Sequence, residues 1–336
     1  MLAKTVKYLL GSSGPSGFGS SSTADDVTAA AAHHLGAITA IITGATSGIG
    51  FETARALAAR GARLILPASI PDAAEEVKSR IAGGGQIIVL PLDLSSFSSI
   101  RSFVSQFLAL GFPLNILINN AGRFAYDQAE SEDGIELTFA INFLGPFLLT
   151  KLLLEKMVVS ARETGIEGRI VNVSSFCHHW FSGDPLGYLR LLAAGEVRYN
   201  AARAYGLSKL AMVMHTKELA RRLEKMGVNV TVNSVDPGIT RTRLNRDREG
   251  FVLDMMFFLA SKFVKTIHQA AATTCYVAVH PAVAGASGKY YVDCNESAAA
   301  KSAASGEVAA QLWIEAEAMI ADANLDGSES DPAGKQ

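Results

Sequence analysis

Two patterns alternate along most of the chain. Short runs dense in apolar and β-branched residues, without a polar face, fall at 37–42 (AITAII), 63–66, 86–91, 114–119, 169–174 and 228–235. Runs of this kind are what strands covered on both faces require. Between them lie longer stretches with apolar residues at helical spacing, at 51–60, 72–82, 96–110, about 133–160 and 201–226, with a further one at 307–320. Repeated strand–helix units predict an α/β fold: a doubly wound parallel sheet of about seven strands, helices on both faces and right-handed crossovers. No internal repeat and no second core break the pattern, so residues 37–320 read as one domain.

The ends read differently. Residues 1–36 form an arm in which 11–22 (GSSGPSGFGSSS) has the composition of a flexible linker. Thr23-Ala24-Asp25-Asp26 then offers a cap for a short Ala-rich helix. The opening apolar segment stops at Gly11, too short for a secretory signal, and no charge-free apolar run reaches 18 residues. Residues 321–336 are polar and predict a disordered tail. Residues 251–264 (FVLDMMFFLASKFV) predict a helix apolar around most of its circumference. Such a helix needs the core, a lipophilic ligand or a membrane surface against it; a lid over a lipophilic substrate is the expectation, with peripheral membrane contact the alternative.

Composition narrows the function. A net charge of −2 over 336 residues argues against a general nucleic-acid binder. Three cysteines, Cys177, Cys275 and Cys294, have neither disulfide parity nor metal-ligand spacing, which suits a reducing compartment.

Chemistry gathers at the strand ends. After the first strand comes Thr43-Gly44-Ala45-Thr46-Ser47-Gly48-Ile49-Gly50, then a helix. Glycines let the backbone turn tightly and approach a pyrophosphate, and the helix N-terminus supplies free N–H groups and partial positive charge. Asp93-Leu94 closes the third strand, Asn119-Asn120-Ala121-Gly122 the fourth, Ser174-Ser175 the fifth and Pro237-Gly238-Ile239-Thr240 the sixth. Tyr205 and Lys209 lie four apart on the intervening helix and so share one face. In open α/β sheets ligands bind at these carboxyl ends.

This set, in this order, resembles the short-chain dehydrogenase/reductase family over about residues 37–295, and with it a Rossmann-type sheet. Arg169 to Ser175 with His178-His179, and Ser287 to Cys294, are similar to its retinol-dehydrogenase and WW-domain-oxidoreductase branch. Residues 14–18, 22–27 and 270–281 resemble plant members associated with the chloroplast inner envelope. The resemblance implies Tyr205 as general acid/base, its pKa lowered by Lys209 and the positively charged nicotinamide ring, with Lys209 also holding the nicotinamide ribose. It implies Ser175 on the substrate oxygen and Asn142 on a water in a proton relay. Gly44, Thr46, Ser47, Gly48, Ile49, Gly50, Asp93, Leu94, Asn120, Ala121, Gly122, Pro237, Gly238 and Thr240 would complete the cofactor site.

At the end of the second strand, Leu66 to Pro71 contains neither the acid that binds a ribose 2′-hydroxyl nor the arginine that binds a 2′-phosphate. Absence of the acid favours NADP, with NAD remaining open. The aromatic insert at 176–204 is expected to shape the substrate pocket, and His178-His179 to be packing rather than a metal site. Two functions stay open: an NADP-dependent oxidoreductase acting on the carbonyl or alcohol of a lipophilic small molecule, or a dinucleotide-sensing scaffold with negligible turnover. The compartment implied is cytoplasmic or plastid-associated. Oligomeric state is not legible.

Overall fold

The computed structural model describes residue 8 and residues 11–31, 35–81, 84–240 and 264–329. Its centre is an eight-stranded sheet of β1 (Thr39–Ile42), β2 (Arg63–Ala68), β3 (Ile87–Pro91), β4 (Ile116–Asn119), β5 (Gly168–Val173), β6 (Val230–Asp236), β7 (Tyr290–Val292) and β8 (Asn295–Ser297). The order is β3-β2-β1-β4-β5-β6-β7-β8. All neighbours are parallel except the closing hairpin β7–β8. Ile41 of β1 pairs with Ile65 of β2 on one side and Leu117 of β4 on the other. The winding reverses there, which opens a crevice above the carboxyl ends of β1 and β4.

Apolar layers cover both faces. One contains Phe103 and Phe107 of α4 (Phe97–Ala109), Phe143 and Phe147 of α5 (Leu137–Thr164), Leu210 of α7 (Ala201–Met226) and Trp313 of α9 (Gly306–Glu329). The other contains Val27 of α1 (Ala24–Ala29), Leu57 of α2 (Gly48–Ala58), Val77 of α3 (Pro71–Arg80) and Cys275 of α8 (Ile267–Val279). Helix α6 (Pro185–Ala193) lies in the aromatic insert. Helix α5 has the length and apolarity to cross a membrane, but most of its apolar stretch is buried inside the fold, as a core helix requires.

Several expectations are corrected. The sheet gains an eighth strand, because Asp293 and Cys294 both adopt positive φ (51° and 62°) and close a two-residue hairpin. The helix expected from about 133 starts at Leu137 and passes through a π-turn at Ala140–Leu144 before Gly145-Pro146. Glu130 and Glu136 form a bridge just ahead of it. Helix α9 runs past Ile320 to Glu329, with Ala321 and Ala323 as good helix formers at the start of the extension.

The arm is corrected most. Residues 11–31 are docked, not free. The Phe18 ring sits edge-on to Tyr276 (5.9 Å) and His280 (5.4 Å). Asn295 accepts from Ser16 N–H (3.0 Å) and donates to the Phe18 carbonyl (3.1 Å). Helix α1, with a Thr23–Asp26 capping box, buries Ala24 and Val27. One partly buried aromatic ring and a bidentate amide outweigh the Gly/Ser composition. The segment 251–264 lies, apart from Val264, outside the described residues.

Candidate active site

The glycine turn is stitched to the turn after β4. Thr43 Oγ1 accepts from the N–H groups of Asn120 and Ala121, both at 3.0 Å. Asn120 Nδ2 donates back to the Thr43 carbonyl (2.9 Å). Gly44 is left-handed (φ +67°), and a Cβ there would lie 2.8 Å from Ala121 Cα. At Gly50 a side chain would overlap the Gly44 carbonyl and the Asn120 amide. Ser47 precedes α2 without capping it, and no acid occupies the first turn. Thr46, Ser47, Gly48 and Ile49 are partly exposed while β1 is fully buried. A cradle of this form, with uncapped N–H groups at the surface, fits a dinucleotide pyrophosphate.

Around it, Asp93 Oδ1 accepts from Ser95 N–H (2.8 Å) and Ser95 Oγ (2.6 Å), a turn of the kind a short acidic side chain closes on its own backbone. Leu94 is buried. Strand β2 ends at Ala68, with Ser69 and Ile70 exposed beyond it.

Tyr205 and Lys209 are buried on α7, with the ammonium 5.6 Å from the centre of the phenol ring. Lys209 Nζ donates to the Val173 carbonyl at the end of β5 (3.0 Å). Burial lowers Lys209 to about 8. Burial holds the Tyr205 phenol above its ordinary value, and the hydrogen bond with Ser175 is what pulls it down. Desolvation disfavours the charged form of both groups, so the pair rests as neutral phenol beside a weakened ammonium. Ser175 Oγ also accepts from Cys177 N–H (3.3 Å), fixing the hydroxyl at the head of the Phe176–Trp180 turn.

Asn142 is buried in the π-turn. Its Oδ1 accepts from Arg123 N–H (2.7 Å), and its Nδ2 donates to the Arg123 carbonyl (2.9 Å) and Ser208 Oγ (3.0 Å). Gly122 stands between the polar groups: a Cβ there would sit 3.4 Å from both Asn142 Oδ1 and Lys209 Nζ. The missing side chain leaves room at a point that both groups can reach, which suits a bridging water.

Other contributors carried weaker sequence signals. Ser208, three residues after Tyr205, donates to the Tyr205 carbonyl (2.8 Å) and so ties Asn142 to the tyrosine. Phe124, directly beyond the Asn-Asn-Ala-Gly turn, lies 5.2 Å from the Tyr205 ring. His178 is fully buried; its Nε2 accepts from Ala300 N–H (3.0 Å), which leaves Nδ1 to donate to the Ser175 carbonyl (2.6 Å). Burial lowers this imidazole to about 4, so it is neutral, with both nitrogens engaged by backbone.

Asp236, just before Pro237-Gly238, accepts from Gly238 N–H (2.9 Å) and from the Tyr290 hydroxyl (3.2 Å). Gly238 (φ +82°) packs on the stem of Lys265, which bonds back to the Ile239 carbonyl (2.8 Å) beside Thr240. The structure thus brings Asn142, Ser175, Tyr205 and Lys209 to the strand ends between two glycine-bearing turns. Asp93 lies at the neighbouring end of β3.

A parallel sheet with a glycine cradle at its reversal and a buried Tyr/Lys pair across the crevice defines a dinucleotide-fold protein. The short chain dehydrogenase family model matches residues 38–180 and 193–250, and the chain belongs to that family. Short-chain dehydrogenase TIC 32 B, chloroplastic, of Brassica napus is 49% identical over 310 residues, covering 90% of this chain and 94% of the relative. Retinol dehydrogenase 12 of Homo sapiens is 41% identical over 276 residues, covering 81% and 83%. Among solved structures, an uncharacterised protein from Mycobacterium paratuberculosis aligns with TM-score 0.67 and 30% identity, covering 84% of this chain and 92% of that one. The Pseudomonas aeruginosa RhlG/NADP active-site complex aligns with TM-score 0.62 and 26% identity, covering 76% and 94%.

Proposed function

We propose that the protein is an NADP(H)-dependent oxidoreductase that interconverts the carbonyl and alcohol of a lipophilic small molecule. The observation that carries this reading is the buried Tyr205–Lys209 pair, set against Ser175 and linked through Ser208 to Asn142. The bound nicotinamide would supply the hydride. Ser175 positions the substrate oxygen, and the Tyr205 hydroxyl gives that oxygen its proton during reduction. Lys209 lowers the cost of the phenolate left behind, and the gap at Gly122 gives a water access to Lys209 and Asn142 for proton resupply.

Lipophilic substrates are favoured by the retinol dehydrogenases among the relatives and by Phe124 beside the Tyr205 ring. NADP is favoured by the lack of an acid at the end of β2, and by the RhlG complex, whose title names NADP. The chloroplastic relatives favour association with plastids. One feature also suits a sensing scaffold: Ser69 and Ile70, at the 2′ end of the crevice, carry no charge.

Incubation with NADPH and a panel of lipophilic aldehydes and ketones, followed at the absorbance of the reduced nicotinamide, separates the two functions. Turnover abolished by Tyr205→Phe, with NADPH binding retained, is the expected result. NADPH binding without oxidation across the whole panel refutes the enzymatic reading.

A further inference from the structure

One buried imidazole beside the tetrad has no part in the proton transfer, that of His178. It is fully buried, with the Tyr290 ring of β7 edge-on at 4.9 Å and the His179 ring at 4.0 Å. Its two nitrogens reach backbone groups far apart in the chain. Nε2 meets the Ala300 N–H (3.0 Å), and Nδ1 meets the Ser175 carbonyl (2.6 Å). An amide N–H can only donate and a carbonyl can only accept. One tautomer therefore satisfies both, with the hydrogen on Nδ1 and the lone pair on Nε2. Ala300 heads the Lys301–Ala303 turn, and Ala303 is buried in the core, so that end of the bridge is anchored.

At the other end the side chain donates to a carbonyl that already has a partner. The His178 N–H closes the Phe176–Trp180 turn on the Ser175 carbonyl (3.1 Å). A turn of this kind needs only that i→i+3 bond, yet Nδ1 adds a second and shorter one. The consequence falls on the hydroxyl of the same residue, because Ser175 Oγ accepts from Cys177 N–H (3.3 Å) within the same turn. A carbonyl held twice and a hydroxyl held by the amide two residues on leave Ser175 little freedom. The turn also lies directly against α7 next to the tyrosine: a Cβ on Gly206 would sit 3.2 Å from the Cys177 carbonyl oxygen. A shift at Ser175 is thus a shift relative to Tyr205, to which its hydroxyl bonds.

We propose that His178 is a positioning residue: held in one tautomer by the Ala300 N–H, it fixes the Ser175 carbonyl through Nδ1 and thereby sets the Ser175 hydroxyl against Tyr205. The inference rests on the reading of Ser175 as the group that orients the substrate oxygen, and it deepens that reading by naming what holds Ser175 in place. His178 touches neither substrate nor cofactor in this role. The segment that leads into α9 becomes part of the support of the site.

Two substitutions separate the two bonds. The amide nitrogen of asparagine can take the place of Nδ1, and the amide end of glutamine that of Nε2. His178→Gln therefore keeps an acceptor for Ala300 and loses the donor to Ser175, while His178→Asn keeps that donor and loses the acceptor. The Cys177 N–H reports on the hydroxyl to which it is bonded, and its hydrogen exchange is read by NMR on the full chain without substrate. In His178→Gln it is expected to exchange about tenfold faster than in the unaltered protein. With a lipophilic carbonyl that the unaltered protein reduces, kcat should fall about tenfold or more while the NADPH Kd stays within about threefold. His178→Asn is expected to restore both exchange and kcat to within about threefold. A role in packing alone predicts equal losses, since each variant gives up one buried hydrogen bond.

Equal exchange rates in the two variants overturn the proposal, as do equal kcat values or a Cys177 amide in His178→Gln that exchanges as slowly as in the unaltered protein. If His178→Gln does not fold, an unprotected Cys177 amide in His178→Asn overturns it. So does nitrogen NMR of the unaltered protein at pH 7 that finds the imidazole hydrogen on Nε2. Exchange is measured without a carbonyl substrate, so absence of turnover across the panel refutes the oxidoreductase reading and leaves the His178 result standing.

Discussion

His215 offers a quantitative test of how burial governs this molecule. It lies on α7, 3% exposed, stacked on Trp313 (5.5 Å between ring centres) with Phe147 edge-on at 5.2 Å. Neither ring nitrogen has a hydrogen-bond partner. Burial, with Arg222 adding to it, lowers the imidazole to about 3. In the unfolded chain the group titrates near its ordinary value, so below pH 6.5 the unfolded state binds a proton that the folded state refuses. Stability from this group is therefore complete above pH 6.5 and is lost as pH falls toward 3. Each pH unit is worth about 1.4 kcal/mol, so lowering the pH from 7 to 5 costs about 2 kcal/mol through His215 alone.

His215→Phe keeps an aromatic ring in the box and removes the titration. Urea unfolding followed by circular dichroism at pH 7 and pH 5 should show a loss of stability about 2 kcal/mol smaller in the variant. At pH 7 the variant should match or exceed the unaltered protein, because no buried nitrogen is left unpaired. His178, lowered to about 4 for the same reason, is present in both proteins and cancels. Equal pH-dependent losses in the two proteins would refute the reasoning.

Three further outcomes are expected. Gly122→Ala fills the space between Asn142 Oδ1 and Lys209 Nζ and should lower turnover about tenfold or more with little change in NADPH affinity, read as kcat against Kd. Ser69→Arg should widen the preference for NADPH over NADH by pairing with the 2′-phosphate, and Ala68→Asp should reverse it; titration with both dinucleotides checks this. Asn295→Ala removes both amide contacts to the arm and should destabilise the protein by about 1–3 kcal/mol while exposing residues 11–22 to protease, read by limited digestion.

Much of the site was legible because its residues act through local pattern. The apolar runs located β1 to β6, and α7 spans residues 201–226 as its periodicity requires. The i,i+4 spacing placed Tyr205 and Lys209 on one face before any contact was known. Long-range contacts were not legible. Nothing in GSSGPSGFGSSS announces that Phe18 will meet Tyr276 and His280, or that Asn295 will bind the backbone beside it. The burial of the Tyr205 phenol was not legible either: spacing reveals its neighbour but not its burial. Asp236 carried no signal, lying one residue past the apolar run 228–235, yet Gly238 and Tyr290 converge on it.

The docked arm also has a consequence for solubility. An open sheet ends in two rows of unsatisfied backbone groups, which invite a strand from another molecule. At one border β3 finishes in Pro91, which offers no N–H. At the other, β8 is only three residues long, and its first residue, Asn295, is tied to the backbone of Ser16 and Phe18. Removing residues 11–22 would therefore uncover a sheet border and the apolar rings behind Phe18 together. The truncated protein should self-associate at concentrations where the intact chain stays dispersed, and light scattering during arm-specific proteolysis would register the change.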